Sequence, residues 1–288
     1  MQFADPTNDF AFKKLFADPK HKNLLISFLN SMLERTGDKR IADAVVTDPN
    51  NLPLIKGDRH SIVDVRCVDE RGRHYIVEVQ VEDHKDFAQR CVYYSSRTLA
   101  AQLQEKQDYK DIAPVIFLGI LDFNLFDNAD YINHFLIMNS KTHEVGLTMF
   151  EWHFAELKKF AKGEKEIKTD VDRWLYLFKN AVELDQVPAA LKACKETSEA
   201  LAVLDRHLWL KKDLEAYEKI LDAERVARSV LETAVEKGIK KGKAEGGQAR
   251  AIVIAKQMLT EGLAVDLIQK LTGLSVEQIK LLQKGEVH

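Results

Sequence analysis

Two acidic residues, Asp64 and Glu78, and an amide two places beyond the second, Gln80, fall in a stretch whose patterning brings them together. Between Ser61 and Glu82, Val63, Val65 and Cys67 alternate with Ile62, Asp64 and Arg66. Tyr75, Val77, Val79 and Val81 likewise alternate with Ile76, Glu78 and Gln80. Period-2 runs on either side of Glu70, Arg71 and Gly72 predict a β-hairpin. A turn centred on Arg71 sets Asp64 opposite Glu78, with Gln80 one step further on the same face and the valines turned to a core. Facing carboxylates with Cβ atoms about 5 Å apart repel each other. A divalent cation would cancel that repulsion, because hard cations prefer carboxylate oxygens. The other reading is a solvated acidic strand face in a register one residue different.

The flanking segments supply the elements that must hold this hairpin. Asp5-Pro6-Thr7-Asn8-Asp9 is a helix-start cluster leading into Phe10, Phe12, Leu15 and Phe16, and Leu24 to Leu33 continues with helical spacing. A strand is expected over Ile41 to Thr47 and a loop over Pro49 to Arg59. After the hairpin, Asp86 to Gln107 has no Gly or Pro and reads as a long helix, with Phe87, Cys91, Tyr94, Thr98, Ala101 and Leu103 on its inner side. Pro114 to Phe123 is an almost unbroken apolar run, the mark of a strand buried on both faces. Strands are also expected over Tyr131 to Met138 and Glu144 to Phe150, and from Trp152 onward the patterning is helical. A long helix between the hairpin and the Pro114 strand is the usual connection to a parallel neighbour. The fold class is therefore α/β (α+β), a mixed sheet flanked by helices over residues 1–160, followed by an all-helical C-terminal region.

Composition narrows the function classes. The chain has 288 residues, 45% of them hydrophobic, and a net charge of −3, which excludes a globally basic nucleic-acid binder and leaves local patches or a metal to meet phosphate. Three cysteines without CxxC spacing, and no signal peptide, fit the cytoplasm. No apolar run approaches the ~18 residues a membrane span requires. Nine histidines are scattered without HExxH spacing, and neither GxSxG nor a dinucleotide-binding glycine pattern occurs.

In order, Asp9-Phe10-x-Phe12-Lys13, Gly57-Asp58-x-x-Ser61-x-x-Asp64, Glu78-Val79-Gln80 and Arg90-x-x-Tyr93-Tyr94 resemble the Rpn family of recombination-promoting nucleases, often labelled transposases, in the PD-(D/E)XK nuclease superfamily. The resemblance covers roughly residues 5–155 and runs more loosely through the tail. It implies Mg²⁺-dependent (or other divalent cation-dependent) hydrolysis of DNA phosphodiester bonds on a mixed-sheet core. Asp64 and Glu78 match the family's metal-holding carboxylates, and the Val79 carbonyl would be a further ligand. Asp9 matches an acidic residue that some members place near the metal; its other reading is a plain helix N-cap. Gln80 stands where the commonest pattern has lysine. A glutamine can still orient water but brings no charge to offset that developing on phosphate. Arg90 is read either as a phosphate ligand or as the partner of a nearby carboxylate.

The remainder divides into a helical region over 161–235 and, over 236–288, a flexible basic connector with a helical hairpin. In Lys237 to Gly247, glycines at 238, 242 and 246 recur among lysines. This is no Walker loop, and each glycine weakens a helix by ~1 kcal/mol, so a flexible segment is expected, with Lys240 and Lys241 touching phosphate. The phrase IQKLTGLSVEQIKLL looks like the helix-turn-helix ends of resolvases. Its second helix carries few base-reading cations, which favours a protein-contact hairpin over a DNA-reading one. Three functions stay open: a DNA endonuclease, a catalytically weak or inactive nuclease-fold DNA-binding or assembly protein, and a recombination factor that cuts DNA for host repair to join. Double-strand cutting would call for two sites and hence a homodimer through the helical C-terminal region.

Overall fold

The computed structural model describes residues 1–47, 63–103 and 108–284. The loop expected over Pro49 to Arg59 and the motif residues Gly57, Asp58 and Ser61 lie outside them. The chain forms two compact units, Met1–Tyr217 and Glu218 onward. In the first, α1 (Asp9–Phe16), α2 (Lys22–Met32) and β1 (Ala44–Thr47) precede the hairpin strands β2 (Val65–Asp69) and β3 (His74–Gln80). There follow α3 (Phe87–Ala100), β4 (Val115–Leu121), β5 (Ile132–Met138), β6 (Val145–Glu156), α4 (Asp170–Asn180), α5 (Ala189–Lys192) and α6 (Lys195–Leu204). A long helix, α7 (Lys211–Thr260), runs from the first unit into the second, where α8 (Val265–Thr272) and α9 (Val276–Gln283) follow.

The six strands make one mixed sheet in the order β1-β2-β3-β4-β6-β5. β1, β2 and β3 pair antiparallel, β4 joins β3 in parallel after the α3 crossover, and β6 joins β4 in parallel. Every residue of β4 is buried, as its apolar run requires. Gly119 at its middle lets the Phe154 ring of β6 approach: a Cβ there would lie 3.0 Å from it. One side of the unit is an aromatic core in which Phe28 stacks on Phe16 at 4.6 Å and meets Trp174 edge-on at 5.3 Å. On the other side, α3 lays Phe87 and Cys91 over Ile76, Phe117 and Phe154.

The hairpin register is the one read from the sequence, with Val65 opposite Val77 and Cys67 opposite Tyr75. The buried Asp69 carboxylate fixes it. It accepts hydrogen bonds from Arg71 N and Arg73 N, each at 2.9 Å, from Arg73 Nε at 2.7 Å and from the Tyr75 hydroxyl at 2.9 Å. Gly72 supplies the left-handed turn residue, with φ +78°.

Two expectations are corrected. β6 continues through Trp152 to Glu156 rather than giving way to helix, because Phe154 packs beneath α3 and extends the alternation of Phe150 and Trp152. The Lys237–Gly247 stretch is no flexible connector but part of the 50-residue α7. The lysines, alanine and glutamate among its glycines are strong helix formers, and Lys241 pairs with Glu245 one turn on at 3.7 Å.

In the second unit, the end of α7 packs with α8 and α9 around Ala255, Ile268, Leu274, Ile279 and Leu282. Ser275 and Gln278 form the expected capping box, and Gly273 ends α8 with φ +71°. Gly273→Ala forces an L side chain into that conformation at about 1–2 kcal/mol. Hydrogen exchange across α8 and α9 should accelerate roughly 5- to 30-fold, with β4 unchanged.

Candidate active site

Within β3, odd-numbered residues hydrogen-bond towards β2 and even-numbered ones towards β4. Val79 N donates to the Asp64 carboxylate at 2.7 Å, whereas His74 N meets Pro114 O at 2.9 Å and Asp122 N meets Gln80 O at 3.0 Å. One step beyond Val65–Val77, Asp64 therefore faces Glu78 at a non-hydrogen-bonded position, where side chains come closest. Asp64 lies just ahead of β2, and its side chain stands in for the missing strand as acceptor for Val79 N. The Val79 carbonyl points to the same side of the strand as its N–H, so it opens on the gap that Asp64 occupies.

Burial governs the electrostatics. It is the main cause that raises the Asp64 carboxyl from 3.8 to about 6; the Val79 N–H opposes it, and Asp9 adds to it by charge and by a shared hydrogen bond. Glu78, only 7% exposed, is pushed well above the ordinary carboxylate range by burial first and then by the charge of Asp64. Its Oε1 has no hydrogen-bond partner. These groups all belong to the first unit.

Two helices border the pair. α1 brings Asp9, which is not the N-cap: Asn8 fills that role by accepting from Phe10 N. Asp9 is bonded to Lys13 at 2.7 Å, and the Lys13 charge reaches both Asp64 and Glu78. On α3, an Arg90 terminal nitrogen donates to Gln80 Oε1 at 2.9 Å, and the Arg90 charge also reaches Glu78. Arg90 thus holds the Gln80 amide by its oxygen, and its charge falls on the nearby Glu78 carboxylate as well. Lys240 and Lys241 are exposed on α7 in the second unit.

Lys13 is the residue whose place sequence reasoning missed. Its i,i+4 spacing from Asp9 was visible, but nothing local tied α1 to the hairpin. Among the described residues, no three or more His, Cys, Asp or Glu side chains form a metal-holding group. The acids that the hairpin brings together are Asp64, which accepts from Val79 N, and Glu78, whose Oε1 is unpartnered; carboxylate oxygens are the donors that hard cations prefer.

Comparison with protein families matches residues 6–234 to the PD-(D/E)XK nuclease family transposase model and residues 248–284 to the C-terminal HTH domain of the Rpn/YhgA-like nuclease family. Comparison with curated proteins and with solved structures found no match. The second family match covers the hairpin whose sparse charge favoured a protein contact, and identifies it with a helix-turn-helix domain. PD-(D/E)XK nucleases generally use divalent metal ions. With the antiparallel hairpin, the parallel β4 and the facing Asp64 and Glu78 all in place, the first match spans most of the sequence, and the chain belongs to the PD-(D/E)XK nuclease family transposases, of the Rpn kind.

Proposed function

We propose that the first unit is a Mg²⁺-dependent DNA endonuclease that hydrolyses phosphodiester bonds, and that its cuts promote recombination once host repair joins the ends. The observation that carries this reading is the half-buried Asp64 facing the buried Glu78, which has one oxygen unpartnered. Such an arrangement destabilises a fold and persists where it is used. A divalent cation held by Asp64, Glu78 and the Val79 carbonyl, with Asp9 nearby, would acidify water and draw charge from the scissile phosphate. Gln80, its Oε1 tied to Arg90, offers its NH₂ to a water or a phosphate oxygen. Lys13 supplies the positive charge that position 80 lacks, from α1 instead of β3.

Nicking of supercoiled plasmid by wild type, Asp64→Ala and Glu78→Gln, with and without Mg²⁺, tests the assignment; equal nicking by all three would end it. Lys13→Met is expected to lower the rate about 10- to 100-fold, less than the roughly 100- to 1000-fold cost of removing a preorganised donor at developing charge, because the Lys13 side chain is 37% exposed, with Lys13→Arg recovering part of it. The second reading, a catalytically weak DNA-binding or assembly protein, rests on Gln80 replacing lysine and predicts binding without nicking. The helix-turn-helix domain supports DNA as the partner in either case; Lys240 and Lys241 add charge along α7 for phosphate. A homodimer through the helical C-terminal region would pair two cutting sites. The exposed Val226, Val230, Leu231 and Val235 of α7 support that assembly.

A further inference from the structure

Between α3 and the β5–β6 edge of the sheet, the first unit has an apolar cavity of about 300 Å³ lined by Cys91, Val92, Phe126, Phe135, Trp152 and Phe154 among others. No charged residue lines it. Its aromatic walls are held in place. Phe126 lies 4.8 Å from Phe135 and 5.4 Å from Phe154, and Trp152 Nε1 donates to the Ser95 hydroxyl at 3.1 Å. The loop that carries Phe126 is pinned by Glu156, which accepts from Leu125 N at 2.6 Å and Phe126 N at 3.1 Å. Glu156 is fully buried and neutralised by Lys159 at 2.8 Å. A buried ion pair is a costly way to hold a loop that leaves apolar side chains facing water. At the rim, Val92 is 52% and Phe135 40% exposed.

The cavity adjoins the candidate active site. Cys91 in its lining follows Arg90, which holds Gln80, and the Cys91 thiol feels the charge of Glu78. The Phe87 ring, 5.5 Å from the Arg90 guanidinium, lies 6.3 Å from Phe154. One turn of α3 therefore touches the carboxylates on one side and the aromatic cavity on the other.

We propose that this cavity receives an unstacked base of the DNA strand being cut, close to the scissile phosphate. The inference rests on reading Asp64 and Glu78 as a DNA-cutting pair. Aromatic walls stack any base through its π face, and a cavity open on one side leaves the polar base edge in water. Unstacking costs a few kcal/mol in a duplex and least in single-stranded or mismatched DNA. The slot therefore selects single-stranded, frayed or mismatched substrates over intact duplex.

Of the three tryptophans, Trp174 and Trp209 are buried and shielded from contact with a bound base, so quenching by DNA reports Trp152 in the cavity wall. In EDTA, where no cleavage proceeds, single-stranded oligothymidylate is expected to quench that fluorescence and blunt duplex of the same length is not. An oligonucleotide carrying 5-iodouracil should photocrosslink to Trp152, Phe126 or Phe135. Phe135→Ala and the cavity-filling Val92→Phe should each weaken single-strand affinity about tenfold, the loss expected for one base–aromatic stack. Both lie at the rim, and an unchanged melting temperature will show that the fold is intact. Unaltered affinity in both variants, or crosslinks that map elsewhere, would overturn the proposal. So would a halved solution mass with unchanged DNA affinity, which would mean a second copy covers the cavity. If wild type fails to nick DNA yet the quench and crosslinks persist, the nuclease reading falls and the base slot stands.

Discussion

Glu78→Gln is expected to reduce DNA nicking by roughly 1000-fold and, in the same protein, to raise the melting temperature. The first effect follows from removing a metal-holding carboxylate: several kcal/mol of transition-state stabilisation go with the cation, at about 1.4 kcal/mol per factor of ten. Asp64→Ala should lose as much. The second effect follows from burial. Glu78 presents a nearly inaccessible carboxyl with one unpartnered oxygen beside a second acid. An amide of the same shape removes that repulsion, stabilising the fold by on the order of 1–3 kcal/mol. In a domain of this size each kcal/mol moves the midpoint about 2–4 °C. The pH dependence has a defined sign. Because Asp64 is raised from 3.8 to about 6 in the folded protein, folding takes up protons across that window. The stability it contributes is complete below pH 3.8 and is lost as pH rises through 6. Without cation, wild type should therefore melt lower at pH 7.5 than at pH 5, and Glu78→Gln should show less of that decline. Calorimetry and plasmid nicking on the same preparations check both effects. A variant that loses both activity and stability would mark Glu78 as a structural residue and remove the case for the site.

Mg²⁺ or Mn²⁺ should raise the melting temperature of wild type by about 5–10 °C at a hundredfold excess over its dissociation constant. A ligand bound only to the folded state adds about 2.7 kcal/mol there, converted at the same few degrees per kcal/mol. The rise should grow from pH 5 to pH 8, because protons compete with the cation for Asp64 and Glu78, whose affinity for protons is raised. Asp64→Ala and Glu78→Gln should each lose it. An equal rise in wild type and both variants would place the ion elsewhere and sever the link between the paired acids and catalysis.

Much of this arrangement is local in origin, and so the sequence carried it. Alternating valines set the faces of the hairpin, and Asp69, Arg71 and Gly72 set its turn. A strand repeat of two then leaves Asp64 no position but opposite Glu78. The apolar run of β4 likewise determined its burial and its parallel pairing through α3. Sequence spacing misled at Lys237–Gly247, where glycine content pointed to flexibility and the helix-forming residues between the glycines prevailed.

Other features exist only once distant segments pack. Lys13 reaches the carboxylates because α1 docks at the open end of the hairpin. Arg90 grips Gln80 because α3 crosses the face that carries it. The aromatic cavity needs α3, the loop at Phe126 and the β5–β6 edge together. Asp64 and Glu78 would be ordinary ionised acids in an unfolded chain. The sequence determined that they face each other; how strongly they hold protons was decided by the tertiary structure, since that depends on the water excluded from around them.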